Sequence, residues 1–253
     1  MKKKGFLSAV EIFVNTWKKK KGVEVIFLAG SYAVKNEGKF SDIDMHVLVK
    51  NKNFKSVKGL TKINGYVVEY FVSAFDSALS FLGSTFNDNN SSSVRGTLFM
   101  KVLYDKNDKA KILRHRAEQL IKKKFPKLLE KEKESLKYDL WNLHYSLKNL
   151  YLEKSPMFDH AYSLLLFRII RHYGKFCQVE AFSFAKYYNY LTNNDFRARY
   201  LLDAHPDKLF VKKLIACIRA KEGKKKLKFI DDLVSYVLKK MGGFDENNWR
   251  LVG

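Results

Sequence analysis

Strand-like segments occur only before residue 105, and this asymmetry limits the folds open to the chain. Four short runs predict strands: Val23–Ala29, whose β-branched apolar residues indicate a buried strand, and then Asp42–Val49, Tyr66–Ser73 and Leu98–Tyr104. The pair Asn64-Gly65, just before the third run, is typical of a tight hairpin turn. The sequence therefore predicts a β-sheet confined to the N-terminal part of the chain.

Helical spacing of apolar residues dominates after Asp105 and also marks residues 6–21. The predicted helices of the second half are Lys109–Lys124, Leu128–Leu152, Phe158–Tyr173, Ala181–Leu191, Lys208–Ala220 and Lys228–Lys240. We predict an α+β fold, with an N-terminal α+β domain over residues 1–115 and a C-terminal helical bundle over residues 116–253.

The composition limits the environment and the partners of the protein. With 48 Lys and Arg against 26 Asp and Glu, the net charge of +22 favours anionic partners such as nucleotides or RNA, although a lysine-rich composition without such a partner is the alternative. Two cysteines are too few for a disulfide framework. No apolar stretch is long enough to cross a bilayer, and no signal-peptide pattern is present. We expect a cytoplasmic protein with no membrane partner.

Two aspartates stand one residue apart at the start of the second predicted strand, in the run Asp42-Ile43-Asp44. Residues two apart on a strand face the same side, and Glu69 lies midway along the third predicted strand. Three converging carboxylates disfavour joint ionisation, so such a group persists only with a compensating cation. Carboxylate oxygens suit Mg²⁺, which shares its remaining positions with substrate phosphates. The sequence predicts Asp42, Asp44 and Glu69 as metal ligands and catalytic residues.

The pair Gly30-Ser31 follows the first predicted strand, and ten residues separate Ser31 from Asp42. A glycine lets the backbone approach a phosphate closely, and a helix that begins there directs free N–H groups outward. Ser31 adds a hydroxyl donor. We predict a phosphate-binding turn beside the pair of aspartates.

Gly30-Ser31, the ten-residue spacing, Asp42-Ile43-Asp44 and Glu69 together resemble the DNA polymerase β-like nucleotidyltransferase superfamily. The pattern is most similar to its small members of the kanamycin nucleotidyltransferase kind, by motif over residues 23–105 and by architecture in the second half. The resemblance implies a mixed sheet flanked by helices, ATP or another NTP as donor, and two Mg²⁺ ions. Gly30 and Ser31 would bind the donor's phosphates, while the carboxylates would serve the metals and the attacking hydroxyl.

Two positions depart from the pattern of that family. Many relatives carry an arginine three positions after the serine, where this chain has Val34, so Lys35 becomes the candidate cation and Arg95 a second candidate for phosphate binding. The kanamycin enzyme uses a glutamate of its helical domain as base, and the matching position here holds Asn142. Asp139, about one helical turn earlier, is our candidate base.

The leading hypothesis is an Mg²⁺-dependent enzyme that transfers a nucleoside monophosphate from an NTP to a hydroxyl of a small molecule, with an antibiotic as the acceptor that the resemblance suggests. A polycationic aminoglycoside needs an acidic cleft, and the concentrated acids of the helical half alternate with lysines: Glu130, Glu132, Glu134, Asp139 and Glu153. Two alternatives stay open: an RNA-directed enzyme whose binding weakens with salt, and a regulatory module that binds nucleotide without turnover.

Overall fold

The computed structural model describes residues 2–180 and 184–251. The chain folds into two compact units, Met1–Lys124 and Phe125–Gly253. The predicted boundary between residues 115 and 116 would cut the helix Lys109–Ile121 in two. This helix buries Leu113, Ala117 and Leu120 and contacts the other helices and strands of the first unit. The division therefore falls after the helix, because its whole apolar face belongs to the N-terminal core.

The first unit contains a five-stranded mixed sheet. Its strands are β1 (Val23–Leu28), β2 (Ile43–Val49), β3 (Val57–Ile63), β4 (Tyr66–Ala74) and β5 (Lys101–Asp105). The order across the sheet is β3-β4-β2-β1-β5, in which β2 and β4 run parallel and the other neighbours run antiparallel. The predicted α+β class is confirmed.

Five helices accompany this sheet: α1 (Lys2–Trp17), α2 (Gly30–Ala33), α3 (Phe75–Asn87), α4 (Ser92–Phe99) and α5 (Lys109–Ile121). One face of β2 joins the core formed with α1, where Ile43 and Met45 pack in the same cluster as Ala9 and Phe13. Because side chains alternate along a strand, Asp44 lies on the opposite face of the sheet.

A hairpin that joins β3 and β4 forms one edge of the sheet. Its turn residues Asn64 and Gly65 have φ angles of 50° and 83°, the left-handed conformation that the pair was predicted to supply. The sequence did not predict β3 itself. This edge strand is largely exposed, so it lacks the continuous apolar run that marks a buried strand.

The fourth predicted strand, Leu98–Tyr104, begins too early. Leu98 and Phe99 end α4, whose buried residues Val94 and Thr97 fix it as a helix, and β5 starts only at Lys101. Helices flank the polar run 87–93 closely, because α3 ends at Asn87 and α4 begins at Ser92. Polar serines at the start of a helix resemble a loop in sequence, because they favour turns and helix starts alike.

The described residues of the second unit form helices joined by turns and irregular segments, and contain no strand. Its helices are α6 (Glu130–Leu152), α7 (Phe158–Phe176), α8 (Phe184–Thr192), α9 (Asn194–Arg199), α10 (Lys208–Arg219) and α11 (Gly223–Lys240). Their apolar faces share one core, which includes Leu140, Leu165, Phe210 and Leu233. The first three residues of the predicted helix Ala181–Leu191 lie outside the described residues. Over the described parts of both units, no helix combines the length and apolar character needed to cross a membrane.

Candidate metal centre

The parallel pairing of β2 with β4 brings the three predicted carboxylates together. Asp44 and Glu69 are direct partners across the two strands, and Asp42 immediately precedes β2 on the same face as Asp44. Each of the three residues offers a carboxylate oxygen, and these oxygens lie within 4.8 Å of one another. All three side chains are half-buried.

The electrostatics of this trio disfavour three negative charges. Burial, together with the charges of Asp42 and Glu69, raises the pKa of Asp44 to about 6, whereas the charge of Lys58 acts in the opposite direction. A hydrogen bond between the side chains of Asp44 and Glu69, which can form when one of the two carboxyl groups carries a proton, contributes to the same rise of the Asp44 pKa. A divalent cation would replace that proton and relieve the repulsion.

A lysine that the sequence analysis did not single out contacts the trio from β3. The Nζ atom of Lys58 lies 2.7 Å from Glu69 Oε1, and its hydrogen bond and attraction to Glu69 raise the pKa of Lys58. The register places Lys58 diagonally across from Glu69, which pairs with Leu60. Counting back from the turn Asn64-Gly65 along an assumed β3 would have revealed this neighbour.

We expect Lys58→Met to tighten the binding of Mg²⁺ to the protein severalfold, because the ammonium group competes with a metal ion for Glu69. The side chain of Lys58 is 69% exposed, so the effect is modest and weakens with salt. Calorimetric titration with MgCl₂ measures the affinity. Lys62→Met, on the same exposed strand, removes an equal charge and serves as the control. Equal shifts in the two variants would contradict a specific role for Lys58.

The Gly30-Ser31 turn adjoins the same carboxylates. Gly30 has a φ angle of +62°, and a Cβ atom added to it would lie 1.7 Å from Asp44 Oδ2. The backbone of the preceding residue is tied to β2, because the Ala29 N–H donates to the Asp44 carbonyl at 2.8 Å. Only glycine satisfies both the backbone conformation and the close approach of Asp44. The Asp44 carboxylate therefore packs directly against the backbone of Gly30.

The raised pKa of Asp44 predicts how metal-free stability depends on pH. In the unfolded chain the carboxyl ionises near 3.8, and in the folded protein near 6. Below both values the Asp44 carboxyl is protonated in the folded and in the unfolded state, so its ionisation does not affect the stability of the folded protein. Above the folded value, ionisation favours the unfolded state, so this contribution lowers stability as the pH rises from about 4 to about 7.

We expect the melting temperature of Asp44→Asn, relative to the unsubstituted protein, to rise with pH over that window in the presence of a chelator. Thermal unfolding at about pH 4 and about pH 7.5 measures the difference. Adding Mg²⁺ at the higher pH should stabilise the unsubstituted protein and leave Asp44→Asn nearly unchanged. A difference between the two proteins that does not vary with pH would contradict the electrostatic account.

The other predicted site residues, Lys35, Arg95 and Asp139, are not members of the carboxylate trio. Lys35 is exposed just after α2, with a φ angle of 54°, and Arg95 on α4 donates a hydrogen bond from Nη1 to Ser91 Oγ. In the second unit, Asp139 accepts a hydrogen bond from His172 Nε2 at 2.7 Å. The Nε atom of Arg168 lies 4.0 Å from Asp139 Oδ2. Phosphate binding by Lys35 and Arg95, and proton transfer by Asp139, stay predictions.

Comparison with known proteins identifies the fold. No protein-family model and no curated protein matches the sequence. A matching solved structure is that of a nucleotidyltransferase-like protein from Exiguobacterium sibiricum 255-15, with a TM-score of 0.50 and 12% sequence identity; the match covers 92% of this chain and 74% of that chain. At this identity the likeness concerns the fold, and it does not reach the finer, kanamycin-type assignment.

Proposed function

We propose that this protein is an Mg²⁺-dependent nucleotidyltransferase that moves a nucleoside monophosphate from an NTP, expected to be ATP, to a hydroxyl of a small-molecule acceptor. The observation that supports this most is the gathering of Asp42, Asp44 and Glu69 within 4.8 Å, beside the glycine turn that follows β1. The fold shared with a nucleotidyltransferase-like protein is consistent with the same activity.

The donor set fits Mg²⁺. It consists of carboxylate oxygens, which this ion prefers, and its half-buried charges repel one another until a cation is bound. Asp42, Asp44 and Glu69 would hold the ions, two in number as the resemblance implies. When bound, Mg²⁺ supplies stabilisation of the charge that develops on the phosphoryl oxygens.

The residues of the chain would then divide the remaining tasks. Gly30, which has no side chain, lets the donor's phosphates approach, and the Ser31 hydroxyl donates a hydrogen bond to them. Glu69 accepts the proton of the acceptor hydroxyl, and the oxygen of that hydroxyl attacks the α-phosphorus of the donor. The bond from that phosphorus to the bridging oxygen breaks, and pyrophosphate leaves. Lys35 and Arg95 are further candidates for phosphate binding, and Asp139 is a further candidate base.

Pyrophosphate release from ATP and Mg²⁺ tests this proposal over a panel of uncharged hydroxyl compounds, aminoglycosides and RNA. Release that requires a small hydroxyl compound supports the proposal. Release that requires RNA and declines with salt would instead support the RNA-directed alternative, which the net charge of +22 favours. Nucleotide binding without release for any acceptor would contradict an enzyme and indicate a regulatory module.

A further inference from the structure

A cavity of about 450 Å³ lies beside the carboxylates, within the first unit. Three pairs of facing residues on β2 and β4 line it: Asp44 with Glu69, His46 with Phe71, and Leu48 with Ser73. Side chains two apart share a face of the sheet, so the cavity extends along the strands from the carboxylates towards Leu48 and Ser73. Its volume falls in the range that holds a small organic molecule.

The charge of this cavity is confined to one end. Among the described residues that line it, only Asp44, Lys58 and Glu69 carry a formal charge at neutral pH. The lining also contains the imidazole ring of His46. The remaining lining is apolar or hydroxylic, with Phe27, Leu82 and Thr97 among its members. The far end of the cavity therefore favours an uncharged group.

This distribution of charge excludes several classes of ligand from the cavity. The anionic phosphates of an NTP need cations or several N–H donors, and the uncharged far end supplies no cation. An aminoglycoside would bring more ammonium groups than the two carboxylates could neutralise. The donor's phosphates are assigned to Gly30 and Ser31, which do not line the cavity. The cavity begins instead at Glu69, the carboxylate assigned to the acceptor hydroxyl.

We infer that this cavity is the acceptor subsite, and that the acceptor is a flat, uncharged, mainly apolar ring compound with a hydroxyl at one end. This inference rests on the proposed function. Facing pairs two residues apart are separated by roughly 6.6 Å along a strand. A hydroxyl over Asp44 and Glu69 would therefore place the first ring of a fused pair just short of Phe71 and the second ring beside His46 and Phe71. The rings of His46 and Phe71 offer an aromatic surface for stacking, and their centroids lie 6.1 Å apart.

The fluorescent compound 2-naphthol has this chemistry and serves as the probe. We expect saturable binding to the full chain without nucleotide. Ala78→Phe, which fills the cavity from α3, should weaken binding by about tenfold or more, since it removes the space for a ring. The control Leu79→Phe enlarges the next residue of the same helix, which does not line the cavity, and should leave the affinity nearly unchanged.

A second variant keeps the test decisive if Ala78→Phe fails to fold. Phe71→Ala removes part of the aromatic lining at a position that is 38% exposed, and it should also weaken 2-naphthol binding. No saturable binding to the unsubstituted protein, or equal affinities in Ala78→Phe and Leu79→Phe, would overturn the inference.

Binding of ATP and Mg²⁺ to the same variants separates this inference from the proposed function. Unchanged ATP affinity in Ala78→Phe supports an acceptor subsite, whereas lost ATP affinity together with competition between ATP and 2-naphthol would assign the cavity to the nucleobase and overturn the inference. Absence of ATP binding in every variant would overturn the proposed function, while the assignment of the cavity to a ring compound is decided by the probe alone.

Discussion

Replacing Asp42 and Asp44 together by asparagine is expected to lower pyrophosphate release by about a thousandfold or more, because the substitution removes two of the three carboxylates that we propose as ligands of the catalytic metal. The amide oxygens that remain are neutral and bind Mg²⁺ weakly. Release of pyrophosphate from ATP, measured with the best acceptor of the panel, gives the size of the loss.

The same double substitution should leave the melting temperature level or raise it when no metal is present. The folded protein holds Asp44 beside Asp42 and Glu69 at a cost, which the raised pKa of Asp44 reflects. Asparagine has nearly the same shape and removes this repulsion. A large loss of stability would show instead that the carboxylates hold the fold together.

A control variant tests whether charge alone explains the loss. Asp88→Asn with Asp108→Asn removes two exposed carboxylates from the same unit, at positions outside the trio. Asparagine tolerates the left-handed backbone of Asp108. This control should keep full turnover. Unchanged turnover in the Asp42 and Asp44 variant would remove both residues from the mechanism.

Gly30→Ala is expected to be the most damaging single substitution at the turn. The new Cβ would stand 1.7 Å from Asp44 Oδ2, so the carboxylate must move, and the backbone keeps a φ angle of +62° that alanine disfavours. We expect a loss of about 2–4 kcal/mol in the free energy of unfolding, from strain and steric overlap together. Displacing Asp44 should also lower turnover by about a hundredfold.

Gly22→Ala separates strain from steric overlap. Gly22 has a similar φ angle of +86°, but nothing lies within 4 Å of its added Cβ. We expect this variant to lose about 1 kcal/mol, the cost of the left-handed backbone alone, and to keep its turnover. Chemical denaturation and pyrophosphate release measure the two effects. Equal losses in the two variants would contradict the contact between Gly30 and Asp44.

The carboxylate trio could be predicted because its members are encoded by local patterns. Asp42 and Asp44 share a face through the period of a strand, and Glu69 interrupts an apolar run that predicts a buried strand. Their meeting depends on β2 and β4 being parallel neighbours in register, which no local pattern encodes. That pairing is a tertiary property of the sheet.

The sequence patterns did not predict Lys58 or the cavity, for related reasons. Lys58 lies on β3, an exposed edge strand whose few apolar residues do not form a buried run. The cavity is lined by residues from strands and from three helices that are distant in sequence, and its shape depends on how α3, α4 and α5 pack. The unit boundary was misplaced because the apolar face of α5 does not reveal which core it joins.

Crystals soaked with Mn²⁺ and a non-hydrolysable ATP analogue test the central claim most directly, because the anomalous signal of manganese locates the metal without ambiguity. We predict manganese within ligand distance of Asp42, Asp44 and Glu69, with the analogue's phosphates against Gly30 and Ser31. Manganese bound elsewhere, or an analogue that binds away from these three carboxylates, would contradict the account.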